Sequence, residues 1–234
     1  MDPQHRILAA LDTTDVDRAA ALAAGLQGRV GGIKLGKEFF SANGPEGVRR
    51  VASGDQPLFL DLKFHDIPNT VAGAIRSVRR MGPFMLNVHA SGGRAMMEAA
   101  VAANAEAGAD RPILLAVTVL TSLGDEDLAE LGIAVAAREQ VVRLARLAQD
   151  AGMDGVVCSA REITAIRDAC GADFKLVVPG IRPAWASADD QKRIVTPADA
   201  VAMGADYLVI GRPITGADDP AAAAARIGEE LAAA

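Results

Sequence analysis

Aromatic residues are scarce in this chain of 234 residues: Phe, Trp and Tyr together make up 3%, with one Trp and one Tyr. Base-stacking platforms and aromatic cages need several such rings, so both kinds of binding surface are excluded. Cysteine is nearly as rare. Cys158 and Cys170 stand in no metal-ligand spacing and read as two reduced core thiols in a reducing compartment. The three histidines, His5, His65 and His89, show no metal-ligand spacing either, and no Ser/His/Asp arrangement or P-loop is present. His5 is expected to face solvent, and His65 and His89 to make structural hydrogen bonds. No apolar run approaches the ~20 residues of a membrane-spanning helix. The first residues, "MDPQHRILAALD", lack a signal-peptide layout because their apolar run is short and ends in an acid. A cytoplasmic address is the expectation. Net charge is −6 with no Lys/Arg-rich stripe, which argues against nucleic-acid and anionic-membrane partners. An anionic ligand would need local donors to hold it against that overall field.

The rest of the composition is that of an ordinary globular protein, 50% hydrophobic and 23% charged, and the length fits one domain over 1–234. Short β-type runs alternate with amphipathic helical segments throughout. Strands are expected at 6–11, 31–35, 58–63, 84–89, 113–119, 155–158, 175–178 and 207–210. Helix-like stretches such as "EQVVRLARLAQDAG" follow them, with apolar residues three and four apart. Glycines in "AQDAGMDGVV" and "AVAMGADYLVI" read as helix stops. The Ala-rich end, "DDPAAAAARIGEELAAA", reads as a last helix. Continuous apolar strands joined by crossover helices mean a parallel sheet covered by helices. Eight such units predict a closed (β/α)₈ TIM barrel. An open doubly wound sheet should carry a Gly-rich turn after its first strand, and the turn here is "LDTTDVD".

In a (β/α)₈ barrel the site lies at the C-terminal ends of the strands. Those ends carry Asp12, then Lys34, then Asp61 and Lys63 with Asp66 just beyond, then His89 and Thr121. Asp61 and Lys63 are two apart, so on a strand both side chains leave by one face. Two lysines and two carboxylates alternating in space form a neutral set in which each charge holds its neighbours ionised. Lys63 would then remain a charged proton donor. At ~4 Å and an effective dielectric of ~20, each contact of opposite charges is worth roughly 4 kcal/mol before desolvation. Desolvation offsets much of that, so the set argues for function more than for stability. Gly211 and Arg212 in "VIGRPI" and Arg182 in "PGIRP" follow strands 8 and 7, where barrels often bind phosphate through backbone N–H groups and an Arg clamp. The long polar stretch "AWASADDQKRIVTP" between them has the character of a lid.

The run "DLKFHDIPNT" resembles the D-x-K-x-x-D-I-x-N-T signature of the orotidine 5′-phosphate decarboxylase family. The resemblance continues through "ALD", "IKLG", "VHASGG", "VTVLTSL", "VVPGIRP" and "DYLVIGRPIT", nearly end to end. The D-x-K-x-x-D core alone is shared with related sugar-phosphate barrels, whereas the complete run with "LTS" and "PGIRP" is specific. The stretch "AWASADDQ" differs from the family's usual loop but retains Gln191. The resemblance implies cofactor-free, metal-free loss of carbon dioxide from orotidine 5′-phosphate, giving uridine 5′-phosphate. It implies that Lys63 protonates C6, that Asp61 lies beside the departing carboxylate, and that Lys34 and Asp66 complete the network. Asp12 and Lys34 would touch the ribose and Thr121 the pyrimidine. Gln191, Gly211 and Arg212 would hold the phosphate with Arg182 nearby. Asp66, Ile67 and Thr70 are implied substrate contacts, with Asp66 and Thr70 reaching the partner's site in a homodimer. Two alternatives remain open at this point. One is a magnesium-dependent sugar-phosphate enzyme of the same barrel type, with Asp61 and nearby acids on the metal; the other is a non-catalytic phosphate-binding barrel.

Overall fold

The computed structural model describes residues 2–186 and 195–233. Eight strands form in the expected places: β1 Ile7–Ala10, β2 Gly32–Gly36, β3 Leu58–Phe64, β4 Met85–His89, β5 Ile113–Val117, β6 Gly155–Val157, β7 Lys175–Pro179 and β8 Tyr207–Ile210. They pair in sequence order, all parallel, and β8 pairs back onto β1, closing a barrel. The helices between and after them are α1 Val16–Gly25, α2 Lys37–Val51, α3 Pro68–Arg79, α4 Arg94–Ala105, α5 Asp125–Glu130, α6 Ala137–Asp150, α7 Ile163–Cys170, α8 Pro197–Ala202, α9 Arg212–Thr215 and α10 Pro220–Ala232. The helix α2 is interrupted at Gly44, whose φ of 58° precedes Pro45. This is the (β/α)₈ architecture that the alternation of apolar runs dictates. Among the described residues no helix is long and apolar enough to cross a membrane.

Parallel strands buried on both faces explain the near-continuous apolar runs. One set of side chains fills the barrel interior, including Leu8, Phe59, Met85, Leu115, Val177 and Tyr207. The alternate set packs outward beneath the helices, as Ile33, Leu60, Leu86 and Leu176 do. Both cysteines are buried and unbridged. The expected helix stops are real: Gly152 after α6 and Gly204 after α8 have φ of 84° and 113°, a region in which glycine lacks the steric penalty of other residues. Asp15 caps α1 by accepting from the N–H groups of Asp17 and Arg18 at 2.9 and 3.0 Å.

Several strand edges differ from the expected ones. Arg6 lies in a 3₁₀ turn, Pro3–Arg6, and its guanidinium donates to the Ala205 carbonyl at 3.1 Å. The fifth strand ends at Val117, and Thr118 directs both its N–H and its hydroxyl to the Val157 carbonyl, each at 3.2 Å. That carbonyl closes the β5–β6 ladder.

Gly155 on β6 is one of the tight approaches in the barrel wall. A Cβ there would lie 2.2 Å from the Lys175 carbonyl oxygen on β7. Gly155→Ala is therefore expected to destabilise the fold by about 1–3 kcal/mol through overpacking against rigid backbone. Urea unfolding checks this, and an unchanged midpoint would contradict the observed β6–β7 spacing.

Candidate active site

The charged cluster assembles at the C-terminal ends of the first three strands. Lys34, inward-facing on β2 and 7% exposed, donates to Asp12 Oδ1 at 2.8 Å, and its Nζ lies 3.8 Å from Asp61 Oδ2. Asp61 on β3 is 8% exposed, and its Oδ1 accepts from Lys63 Nζ at 2.5 Å. Asp12, Lys34, Asp61 and Lys63 thus form one ion-paired chain. Burial pushes the Asp61 carboxyl up. The Lys63 and Lys34 charges, with hydrogen bonds from Lys63 and Asn87, outweigh that, and its net pKa lies below the ordinary carboxylate value.

Asp61 and Lys63 meet for a reason that strand alternation does not supply. Leu60 pairs with Leu86 and Phe64 with Val88, so three residues of β3, Asp61 to Lys63, stand opposite Asn87 alone on β4. The chain absorbs the excess at Lys63, whose φ of 51° is the only positive value among the described non-glycine residues. Such a conformation costs on the order of 1–3 kcal/mol unless its surroundings hold it. Asn87 does so. Its Oδ1 accepts from the Lys63 backbone N–H at 2.7 Å, and its Nδ2 donates to Asp61 Oδ1 at 2.6 Å. The side chain is 1% exposed. Sequence reasoning passed over Asn87, although a lone amide inside the apolar run "FMLNVH" was the available signal.

The other expected residues are distributed along the rim. Asp66, Ile67 and Thr70 sit exposed at the junction of β3 and α3. Within this chain Asp66 does not join the network; its Oδ1 accepts from the Ile67 N–H at 2.7 Å. Thr121 and Arg212 line an open cleft of about 660 Å³ over the ends of β5 to β8, together with Ser122, Ser159, Arg161 and Gly180. Gly211 immediately precedes α9, which begins at Arg212. Arg182 is 4% exposed, so it is a buried residue and not a surface cation. Trp185 tethers the near end of that loop to α10, donating to Glu230 Oε1 at 2.6 Å beneath the Arg226 guanidinium. Gln191 and most of the polar stretch with lid character lie outside the described residues.

The histidines differ in part from expectation. His5 is exposed as expected. His65 and His89 contact each other ring to ring, 5.5 Å between centroids at 37°, and neither side chain makes a hydrogen bond within the described residues, so the expected structural hydrogen bonds are replaced by a ring contact. No three His, Cys, Asp or Glu side chains among the described residues are grouped to hold a metal ion.

A closed parallel barrel with a lysine–carboxylate chain on one half of its C-terminal rim, and an Arg-lined cleft on the other, defines a (β/α)₈-barrel enzyme. The sequence profile of the "Orotidine 5′-phosphate decarboxylase / HUMPS family" matches residues 5–227, and the chain belongs to that family. It is 59% identical to an orotidine 5′-phosphate decarboxylase of Rhodospirillum rubrum over 233 residues, 97% of this chain and 94% of that protein. It is 57% identical to that of Paramagnetospirillum magneticum over 229 residues, covering 96% of this chain and 97% of the relative. The crystal structure of orotidine 5′-phosphate decarboxylase from Lactobacillus acidophilus superposes with a TM-score of 0.86 at 36% identity, covering 96% of this chain and 98% of that one.

Burial, followed by the nearby charges of His65, Lys37 and Lys63, lowers the His89 pKa from 6.5 to about 4, against an opposing pull from Asp61. The unfolded chain therefore binds a proton here that the folded chain refuses between about pH 6.5 and 4. On this account His89 makes the fold lose stability as pH falls through that window. Ring-proton NMR should place the His89 midpoint near pH 4, and a midpoint above 6 would contradict the observed environment.

Proposed function

We propose that this chain decarboxylates orotidine 5′-phosphate to uridine 5′-phosphate and carbon dioxide, the last step of de novo UMP synthesis, without metal or organic cofactor. The observation that carries this reading is the Lys63 ammonium held 2.5 Å from a buried carboxylate at a strand end, in a chain of this family. The substrate carboxylate would enter beside Asp61. The C6–carboxylate bond breaks with its electron pair left on C6, carbon dioxide departs, and the proton moves from Lys63 Nζ to C6. The ammonium also stabilises the developing charge before it gives up the proton. Lys63 then recovers its proton from water.

The rest of the rim divides the substrate accordingly. Asp12 and Lys34 take the ribose hydroxyls, Thr121 the pyrimidine, and Gln191, Gly211 and Arg212 the phosphate, with Arg182 nearby. The span from the charge chain over β1 to β4 to the cleft over β5 to β8 suits an elongated nucleotide with an anion at each end. We further read the whole chain as one barrel domain acting in the cytoplasm as a homodimer, with no nucleic-acid or membrane partner.

The magnesium-dependent alternative is disfavoured by what surrounds Asp61. Its oxygens face Lys63, Lys34 and the Asn87 amide, so a divalent cation would meet two ammonium groups at the ligand meant to bind it. A non-catalytic phosphate-binding barrel would have no use for the Lys63–Asp61 pair. An ultraviolet assay with orotidine 5′-phosphate is expected to show full turnover in the presence of EDTA. Activity lost on exhaustive chelation and restored by magnesium would overturn the cofactor-free mechanism, and absence of carbon dioxide release would overturn the activity itself.

Asp66 carries the dimer reading, because it is exposed and makes no ion pair among the described residues of its own chain. In a two-fold dimer the segment from Asp66 to Thr70 can cross the interface and serve the neighbour's site. Lys63→Ala and Asp66→Ala should each be nearly inactive alone. After subunit exchange at equal amounts about half the dimers are mixed, and about a quarter of all sites regain both groups. If exchange is verified and activity stays at the level of the single variants, Asp66 serves its own subunit.

A further inference from the structure

We propose that Asn87 is a positioning residue for the decarboxylation, fixing Lys63 and Asp61 relative to each other through one side chain. This rests on the activity proposed above and assigns a role to a residue that touches neither the substrate nor a reacting atom.

Three observations converge on Asn87. It stands alone opposite three residues of β3, in the gap where the β3–β4 ladder loses register. Irregular strand pairings of this kind re-aim side chains beside active sites. Its amide is used at both ends: the oxygen accepts from the Lys63 N–H at 2.7 Å, and the nitrogen donates to Asp61 Oδ1 at 2.6 Å. Only one orientation of the amide satisfies both, since a backbone N–H needs an acceptor and a carboxylate needs a donor. Finally, the residue it holds by the backbone is the only described non-glycine residue with a positive φ.

These contacts have different consequences. The bond to the Lys63 N–H keeps the backbone in the turn that brings Nζ back over Asp61. The bond to Asp61 Oδ1 fixes the oxygen that the same Nζ binds at 2.5 Å. Asn87 therefore closes a ring: Asp61 carboxylate, Lys63 ammonium, Lys63 backbone, Asn87 amide, Asp61 carboxylate. A ring closed in this way sets where the proton donor points when the Lys63 ammonium must turn from Asp61 to C6. Asn87 is 1% exposed, so water has little access to take over either bond.

The test compares Asn87→Ala and the isosteric Asn87→Asp with the wild-type protein. Asn87→Asp retains an acceptor for the Lys63 N–H but removes the donor to Asp61 and sets carboxylate against carboxylate. Three quantities are measured: kcat for orotidine 5′-phosphate, the Kd of uridine 5′-phosphate, and the hydrogen-exchange protection of the Lys63 amide by NMR. The product lacks the carboxylate, so its affinity reports folding and the ribose and phosphate contacts. For Asn87→Ala the expectation is a loss of about 10²-fold in kcat, the scale of a small misplacement of catalytic groups. Product Kd should stay within about threefold, and Lys63 amide protection should be lost. For Asn87→Asp, kcat should fall on the same scale while the Lys63 amide stays protected. A kcat within threefold of wild type in both variants overturns the proposal, as does a parallel loss of kcat and product affinity in both. If wild-type protein does not release carbon dioxide, the activity reading fails, and the Lys63 amide protection still decides whether Asn87 holds that backbone.

Discussion

The structure depends on keeping the Asp61 carboxylate ionised inside a barrel wall. A carboxylate 8% exposed cannot stay charged unless its lost hydration is replaced, and breaking such a set by removing one partner costs about 3–5 kcal/mol. The replacement comes from three consecutive strands. Lys34 is supplied by β2, Lys63 by β3 itself and the Asn87 amide by β4. Gly36 pairs with Asp61 across β2 and β3, which places the Lys34 side chain, two residues back on the same inward face, just below the carboxylate. Barrel closure and site electrostatics are therefore one constraint. A slip of one residue between β2 and β3 would turn Lys34 to the helix side and leave Asp61 with half its counter-charge.

Much of this was legible in the sequence because buried parallel strands are apolar almost throughout, so a charged residue at the end of one stands out. Lys34, Asp61 and Lys63 were visible for that reason, and all eight strands were found to within a residue or two at each edge. What was not legible depends on pairing. The rule that residues two apart share a face gave the right neighbours in Asp61 and Lys63, but by a regular geometry that β3 does not have between Leu60 and Phe64. Whether a strand is regular there depends on what faces it, and β4 offers one residue to three. Asn87 escaped notice on the same ground. A neutral amide has no charge to flag it, and its importance comes from the mismatch it fills. Arg182 looked like a cation on a loop, yet it is buried, and the depth of a residue just past a strand is not written in its own segment.

The chain's overall charge of −6 is a poor guide to what its site attracts. Lys34, Lys63, Lys37 and Arg212 all lie on the C-terminal rim; of the carboxylates there, Asp12 and Asp61 are already paired with the first two, while Asp66, Asp125 and Glu162 stand further along it. Fields within a cleft are set by charges a few ångströms away, and those across the molecule are screened beyond about 8–10 Å at ordinary salt. A nucleotide carrying a phosphate and a carboxylate can therefore be drawn to an acidic protein without contradiction. The N-terminal face shows the contrast: there Arg167 is consumed by the Gly204 and Phe174 carbonyls and by Asp206, and Arg111 by Asp154. Those arginines stitch strand starts together through bonds within the chain.

The proposed chemistry explains why the buried charge is useful and not simply tolerated. In the free site Asp12, Lys34, Asp61 and Lys63 sum to zero. A substrate carboxylate placed beside Asp61 makes the set net negative at the point where two like charges meet in a partly desolvated wall. Loss of carbon dioxide removes one of them as a neutral molecule and leaves its electron pair on C6, next to the Lys63 ammonium. Interactions that strengthen along this course favour the transition state over the bound substrate, which is what lowers a barrier. The requirement this places on the protein is directional. On that proposal Lys63 faces Asp61 before reaction and C6 during it, and the left-handed residue clamped by a buried amide at the end of β3 would hold its backbone for that task.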